Sequence, residues 1–189
     1  QDRINERLVE LGGQGLTVCR LKGGDPYLFG RGGEEALALV QAGIPVEVVP
    51  GITTASATAA ATGIPLTHRR VARSVRFITG HLALQQAETD WQAIALKQET
   101  LVIYMGFTHL KAIAQRLLEA GLTAATPFAL IQNATTPRQR VVHGQLGHAE
   151  VAAGKLCLEA GPILVIIGEV TGLAKELGPE ASAVLKTQQ

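Results

Sequence analysis

The sequence predicts an α/β fold, with a parallel sheet in the first part of the chain and a mixed sheet in the second. Of the 189 residues, 47% are hydrophobic and 17% are charged, which is typical of strands covered on both faces. A strand, a helix and a second strand near the start predict a βαβ unit. Later strands joined by short connections predict antiparallel pairs. We place the domain boundary after residue 68, so that residues 1–68 and 69–189 form separate domains.

The first domain opens with a helical pattern that stops at two glycines, residues 12–13. Residues 16–21 are rich in branched apolar side chains and predict a strand. A helix follows, with Glu34 and Glu35 in its first turn, where the helix dipole favours acids. Residues 46–49 predict the second strand. Because a right-handed crossover makes these strands parallel, we expect the loops that follow them to lie at one edge of the sheet.

These two loops are the places where a ligand can approach the backbone most closely. In the first loop, Gly23 and Gly24 leave the amides accessible, and the Asp25 carboxylate can accept hydrogen bonds from hydroxyl or amino groups. A Gly-Asp-Pro turn is also common in proteins of no related function, so it does not identify a site by itself. The second loop, residues 50–54, leads into a predicted helix of small residues that ends near residue 61.

The second domain alternates strands with helices. Strands are predicted over residues 74–79, 100–105, 127–131, 138–143 and 163–167, and helices over 110–120 and 148–160. The loop between the third and fourth of these strands is too short for a helical crossover, so we expect that pair to be antiparallel.

Bulk charge and motif spacing exclude several function classes. With 17 basic and 16 acidic residues, the chain has no global field that attracts nucleic acid or a membrane surface. The histidines and cysteines have no metal-ligand spacing, so no metal is expected. Cys19 and Cys157 lie in apolar runs and are expected to be buried free thiols of a reducing cytoplasm. No apolar stretch is long enough to predict a membrane span, so we expect a cytoplasmic protein.

Arginines cluster just after the predicted domain boundary. The cluster consists of Arg69, Arg70, Arg73 and Arg76. Because the guanidinium fork binds carboxylates two bonds at a time, converging arginines suit a ligand with several acidic arms. For Arg73 and Arg76 the alternative is a solvated strand edge guarded by charge. Arg69 follows a rigid Ile-Pro-Leu segment and is the better candidate, and Arg31 is expected to face the same ligand from the first loop.

Taken together, these segments resemble the uroporphyrinogen-III C-methyltransferase family of tetrapyrrole methylases, almost from end to end. The resemblance is carried by residues 18–35, 49–56 and 63–69, and then by 104–106, 132–135 and 139–142 in the same order. It implies two α/β domains with S-adenosylmethionine bound in the cleft between them, S-adenosylhomocysteine as product, and a homodimer.

The resemblance also implies roles for individual residues. The positions that match the family's S-adenosylmethionine site are Gly23, Gly24, Asp25, Leu28, Thr53, Thr54, Met105 and Ala134. Many relatives have glycine in place of Ala134, and alanine is acceptable there unless the backbone needs a positive φ. Arg31 and Arg69 are expected to hold substrate carboxylates, and Arg31 is the residue to which we assign a catalytic role. Glu34 is expected to fix Arg31 or to meet a pyrrole N–H.

The family's first strand, its Gly-x-Gly-Pro-Gly-Asp loop and its acid–base Asp and Lys precede the point where this sequence starts, so we expect the first domain to be incomplete at its start. The activity implied is methylation of uroporphyrinogen III to precorrin-2, for sirohaem or cobalamin, without nucleic acid or membrane partners. The alternatives are a methylase of the same fold acting on a later precorrin, diphthamide or rRNA, or a catalytically silent fragment.

Overall fold

The chain folds into two compact units. The structure, a computed structural model, describes residues 1–80, 90–95 and 97–178. The first unit covers Gln1–Thr53 and the second covers Thr54–Gln189. The domain boundary predicted after residue 68 falls later in the chain than the division between these units, and it stays a prediction.

Two helices build the first unit. Helix α1 spans Asp2–Gly13 and buries Leu8, and helix α2 spans Gly32–Gln41 and buries Glu35. Both helices were predicted, and both are confirmed. The two helices pack against each other.

The two strands predicted for this unit are not formed. Residues 16–21 and 46–49 are extended, but no ladder joins them to each other or to another described segment. They line a groove of about 850 Å³, and Leu21 and Val49 are largely exposed beside it. An extended segment becomes a strand only when a neighbour about 4.8 Å away pairs its backbone groups. The parallel sheet predicted for the first domain is therefore not formed among the described residues.

The second unit contains a mixed sheet, as predicted. Its strands are β1 (Ser74–Thr79), β2 (Glu99–Tyr104), β3 (Pro127–Gln132), β4 (Arg140–Gln145) and β5 (Ile163–Ile167), in the order β1-β2-β5-β3-β4. The pair β1 and β2 is parallel, and the other three pairs are antiparallel. The expected antiparallel pairing of β3 with β4 is confirmed, with Pro127 opposite Gln145.

Short helices cover this sheet. They are α3 (Thr54–Thr62), α4 (Trp91–Ile94), α5 (Leu110–Glu119), α6 (Ala149–Ala153) and α7 (Ala174–Leu177), with 3-10 turns at Phe107–His109, Leu146–His148, Leu158–Ala160 and Glu169–Leu173. The helix predicted over residues 148–160 is shorter than expected. It ends before Gly154, because glycine inside a helix costs roughly 1 kcal/mol relative to alanine.

The core lies on both faces of the sheet. Ile103 and Leu117 belong to the cluster on the α5 face, whereas Val102, Ile166 and Ala55 belong to the cluster on the α3 face. Neighbouring residues of β2 therefore point to opposite faces, as the period of a strand requires. The same alternation puts Tyr104 on the α3 face with Val102, where it packs against the second cluster.

Two further expectations concern the chain as a whole. No helix among the described residues is long and apolar enough to cross a membrane. Cys19 and Cys157 are free, as expected, but both are exposed, so their predicted burial is wrong. Cys19 lies in the unpaired extended segment of the first unit, and Cys157 follows the early end of α6. The apolar sequence around each thiol therefore did not become core.

Candidate functional site

The first unit contains a turn that the Asp25 side chain locks to a second loop. Asp25 Oδ1 accepts a hydrogen bond from the backbone N–H of Tyr27 at 2.9 Å, and Oδ2 accepts one from Gly51 at 3.1 Å. Hydrogen bonds from the Gly51 and Tyr27 backbone lower the pKa of the Asp25 carboxyl from its ordinary value. The two loops after residues 21 and 49 lie together, as expected, although the segments before them form no sheet.

Sterics at this turn separate an inner from an outer side. A Cβ added to Gly51 would overlap the carbonyl oxygen of Gly24, so the close approach of the two loops requires glycine there. A Cβ added to Gly23 would meet no atom within 4 Å. Leu28 closes the turn by donating its backbone N–H to the Asp25 carbonyl at 3.3 Å. The Gly23 side is therefore open, and a ligand could approach the backbone there.

A buried carboxylate that the sequence analysis missed supports this turn. Glu35 is 4% exposed, and its Oε1 accepts from Lys22 Nζ at 2.8 Å and from Arg20 at 3.3 Å. Burial raises the pKa of Glu35, but hydrogen bonds from Lys22 and Gln1 and the nearby positive charges outweigh it, so the pKa is lowered overall. The available signal was the two-residue spacing of Arg20 and Lys22, which puts both side chains on one side of an extended segment.

Arg31 stands at the start of α2 in a strained backbone conformation. Its φ is 59°, in the left-handed region that few side chains adopt. Its Nε and a terminal nitrogen donate to the two carboxylate oxygens of Glu34 at 2.9 and 2.6 Å, and both side chains are exposed. The hydrogen bond to Glu34 raises the pKa of Arg31, and the same bond lowers that of Glu34. Glu34 was expected either to fix Arg31 or to meet a pyrrole N–H, and the structure contains the ion pair with Arg31.

In the second unit, two predicted contact residues follow strands that end at the same edge of the sheet. Strands β2 and β3 are both antiparallel to β5, so they run in the same direction. Met105 follows β2 with φ 53°, and it is 60% exposed rather than packed in the core. Ala134 follows β3. The structure therefore brings Met105 and Ala134 to one edge, separated by β5.

The turn that carries Ala134 is held by side chains. Asn133 has φ 50° and donates its Nδ2 to the Ala160 carbonyl at 2.7 Å. Thr135 has φ 67°, and Thr136 Oγ1 donates to the Asn133 carbonyl at 2.8 Å. Ala134 itself is not among the residues with positive φ, so alanine is accommodated where many relatives have glycine.

Thr53 and Thr54 lie where the chain passes between its two units. Thr54 is exposed and begins α3. The next residue, Ala55, is fully buried and donates its backbone N–H to the Tyr104 hydroxyl at 3.0 Å. The start of α3 is therefore fixed to the end of β2, one residue before Met105.

The arginine cluster divides into different environments. Arg69 and Arg70 lie exposed in a tight turn that the bridge between His68 and Ala72 closes. Arg76, on the edge strand β1, donates to Glu99 at 3.0 Å. The strand-edge alternative therefore describes Arg76, whereas the tip of the turn leaves Arg69 exposed. No group of three or more metal-binding side chains occurs within residues 1–80, 90–95 and 97–178.

Comparison with known proteins gives one consistent family. Residues 1–150 match the Tetrapyrrole (Corrin/Porphyrin) Methylases. Siroheme synthase of Azotobacter vinelandii is 51% identical over 177 residues, which are 94% of this chain and 38% of that protein. The chain thus spans well under half the length of the siroheme synthases that it matches.

Solved structures agree with this assignment. Uroporphyrin-III C-methyl transferase from Thermus thermophilus, complexed with S-adenyl homocysteine, is 39% identical with a TM-score of 0.77, over 92% of this chain and 75% of that one. A cobalt precorrin-4 methyltransferase with a TM-score of 0.76 is 21% identical and supports the fold alone. The expected fold class is confirmed, and the chain belongs to the tetrapyrrole methylases.

Proposed function

We propose that this chain carries an S-adenosylmethionine-dependent C-methyltransferase activity that converts uroporphyrinogen III to precorrin-2, for sirohaem or cobalamin. The observation that carries the proposal is the Asp25 turn, which is locked to Gly51 on one side and open at Gly23 on the other. The Thermus thermophilus relative, which holds S-adenyl homocysteine, supports the choice of methyl donor. The siroheme synthase relatives support the sirohaem branch.

The residues proposed to hold the methyl donor are those matched by the family resemblance: Gly23, Gly24, Asp25, Leu28, Thr53, Thr54, Met105 and Ala134. When bound, S-adenosylmethionine supplies an already activated sulfonium methyl group. The protein's own contribution is orientation and exclusion of water, which together account for much of the rate in such reactions. The ionised Asp25 carboxylate holds the turn that carries Gly23 and Gly24 against Gly51.

Arginines are proposed to hold the acceptor. Uroporphyrinogen III is a polycarboxylate, and bidentate hydrogen bonds from guanidinium groups suit its acidic arms. Arg69, exposed at the tip of its turn, binds one carboxylate in this proposal. Arg31 binds another and acts at the reacting ring, with Glu34 either holding Arg31 or meeting a pyrrole N–H. We also propose that the protein works as a homodimer, as the family resemblance implies, and that it is located in the cytoplasm.

Two measurements on the 189-residue chain test the proposal. Calorimetry with S-adenosylhomocysteine should give saturable binding. Incubation with radiolabelled S-adenosylmethionine should transfer label to uroporphyrinogen III in preference to a later precorrin, a diphthamide precursor or rRNA. The Gly13→Ala variant, which changes a glycine at the end of α1 with no atom within 4 Å of the new Cβ, is the control and should behave as the parent does. Absence of binding heat would favour a silent fragment, and labelling of another acceptor alone would overturn the substrate.

A further inference from the structure

The Tyr104 hydroxyl occupies a place that a helix-capping group usually takes. It accepts the backbone N–H of Ala55, in the first turn of α3, at 3.0 Å. The first N–H groups of a helix have no partner within the helix and need an acceptor from elsewhere. Here that acceptor comes from a strand 49 residues later in the sequence. One hydrogen bond therefore joins the start of a helix to the end of a strand in the same unit.

The ring that carries this hydroxyl is held by its neighbours. Tyr104 packs edge-on against Phe77, with ring centroids 6.2 Å apart and an angle of 82° between the planes. Phe77 lies on β1, which pairs with β2 along its whole length. Such edge-to-face pairs contribute beyond the area they bury. The position of the hydroxyl is therefore set by the sheet, and α3 is fixed relative to it.

Both ends of this hydrogen bond adjoin residues that we propose to contact the methyl donor. Thr54 precedes Ala55, whose amide donates the hydrogen bond, and Met105 follows Tyr104, whose hydroxyl accepts it. Met105 has a positive φ and an exposed side chain, so its backbone presentation depends on how β2 ends. Thr54 is likewise exposed at the helix start. A change in the Tyr104 to Ala55 distance alters the spacing of these two contacts.

We propose that Tyr104 is a positioning residue for S-adenosylmethionine, acting through the Ala55 amide to hold Thr54 and Met105 at a fixed separation. The inference rests on the proposed function, because Thr54 and Met105 matter in this way only if they contact the donor. The hydroxyl itself touches neither substrate in this proposal.

The variant Tyr104→Phe tests the inference because it keeps the ring that packs on Phe77 and removes the hydroxyl that accepts the Ala55 N–H. A net hydrogen bond of ordinary strength corresponds to about a 2- to 12-fold change in an equilibrium constant. We expect the Kd for S-adenosylhomocysteine and the KM for S-adenosylmethionine to rise by roughly 3- to 10-fold. The KM for uroporphyrinogen III should stay within about twofold of the parent value, a change smaller than one ordinary hydrogen bond produces.

The matched control is Thr62→Val, at the other end of the same helix. Thr62 Oγ1 donates to the Thr58 carbonyl at 2.8 Å, and the side chain is buried. This variant also removes one buried hydroxyl bond from α3, so its unfolding midpoint should fall, whereas its Kd for S-adenosylhomocysteine should match that of the parent. Equal losses of affinity in Thr62→Val and Tyr104→Phe would mean that Tyr104 acts only by stabilising the helix, and would overturn the inference.

Hydrogen exchange of the Ala55 amide, measured without ligand, separates this inference from the proposed function. The amide should be protected in the parent and should exchange faster in Tyr104→Phe. Faster exchange without a change in affinity would overturn the positioning role. If the Ala55 amide is protected in the parent protein but the protein binds no S-adenosylhomocysteine, the proposed function fails while the hydrogen bond from Ala55 to Tyr104 stands. An unchanged exchange rate in Tyr104→Phe would contradict that hydrogen bond directly.

Discussion

Gly51 donates its backbone N–H to Asp25 Oδ2 across 26 residues of sequence, at 3.1 Å. The bond joins two loops whose preceding segments do not pair with each other. The carboxylate thus joins the two loops of the first unit, which no strand ladder connects. Because it accepts from Tyr27 through its other oxygen, it also shapes the turn on which Gly23 and Gly24 lie.

The Asp25 lock should be sensitive to acid. The two backbone hydrogen bonds lower the pKa of Asp25 in the folded state, so its contribution to stability is complete above the unfolded-chain pKa of about 3.9 and is lost as the pH falls through the lower folded value. We expect Asp25→Asn to unfold at lower urea than the parent at pH 7. The difference between the two midpoints should shrink as the medium becomes acidic below the ordinary aspartate pKa.

Urea titrations of the parent and of Asp25→Asn, from pH 7 to below the ordinary aspartate pKa, measure the effect. The control variant is Glu119→Gln. Glu119 is an exposed carboxylate at the end of α5 that pairs with Arg116. A parent-to-variant difference for Asp25 that stays constant down to the most acidic samples would contradict the role of the ionised carboxylate.

Alanine at Gly51 and alanine at Gly23 should differ in their effect on stability. Gly51→Ala places a Cβ against the Gly24 carbonyl and must push the loops apart, so we expect a lower urea midpoint and loss of S-adenosylhomocysteine binding. Gly23→Ala meets no atom within 4 Å, so we expect an unchanged midpoint and weaker binding, because the methyl group occupies space proposed for the ligand. Parallel unfolding and calorimetry distinguish the two cases. Normal binding by Gly23→Ala would place the ligand elsewhere.

The sequence predicted the second unit better than the first, for a physical reason. Residues 127–132 and 163–167 are almost wholly apolar, and a strand buried on both faces has that composition. Residues 16–21 have a similar pattern, but a strand also needs a neighbouring backbone, which no local pattern encodes. The loops were still placed together correctly, because the crossover through α2 fixes the ends of both segments.

The sequence motifs predicted the loops of the candidate site, but not the side chains that support them. Gly51 and Asp25 were assigned to loops at one edge, and the structure adds the hydrogen bond between them. Glu35 lies in the first turn of α2, as predicted, but its burial and its ion pair with Lys22 were not predicted. The left-handed backbone of Arg31 was also not predicted, because arginine rarely adopts it and the sequence carries no sign of the strain.

Removing the buried Glu35 carboxylate should cost stability. In Glu35→Gln, Lys22 keeps a hydrogen-bond acceptor but loses its charge partner, and its side chain is only 11% exposed. We expect a loss of about 1–3 kcal/mol in the free energy of unfolding. Glu34→Gln, whose ion pair with Arg31 is exposed, is the control and should change the urea midpoint little. Equal midpoints for the two variants would show that the Lys22 pair contributes nothing.

Arg69 should separate acceptor binding from donor binding. Its guanidinium is exposed in the turn that His68 and Ala72 close, so Arg69→Ala should fold as the parent does. Losing one charge-assisted carboxylate contact should raise the KM for uroporphyrinogen III by roughly 10- to 100-fold, with an unchanged Kd for S-adenosylhomocysteine. Arg116→Ala, on the exposed face of α5, is the matched control. Equal losses of affinity for both substrates would remove Arg69 from the acceptor site.

Arg31 combines backbone strain with a proposed role at the substrate, and two substitutions separate them. At φ 59°, glycine is unstrained whereas alanine is not, so Arg31→Gly should unfold at higher urea than Arg31→Ala. Both variants remove the guanidinium, so both should lose methyl transfer to the same extent while retaining S-adenosylhomocysteine binding. Steady-state rates and urea midpoints on the same preparations give both quantities. If activity followed the midpoints instead, Arg31 would act by shaping the start of α2, and its catalytic assignment would be wrong.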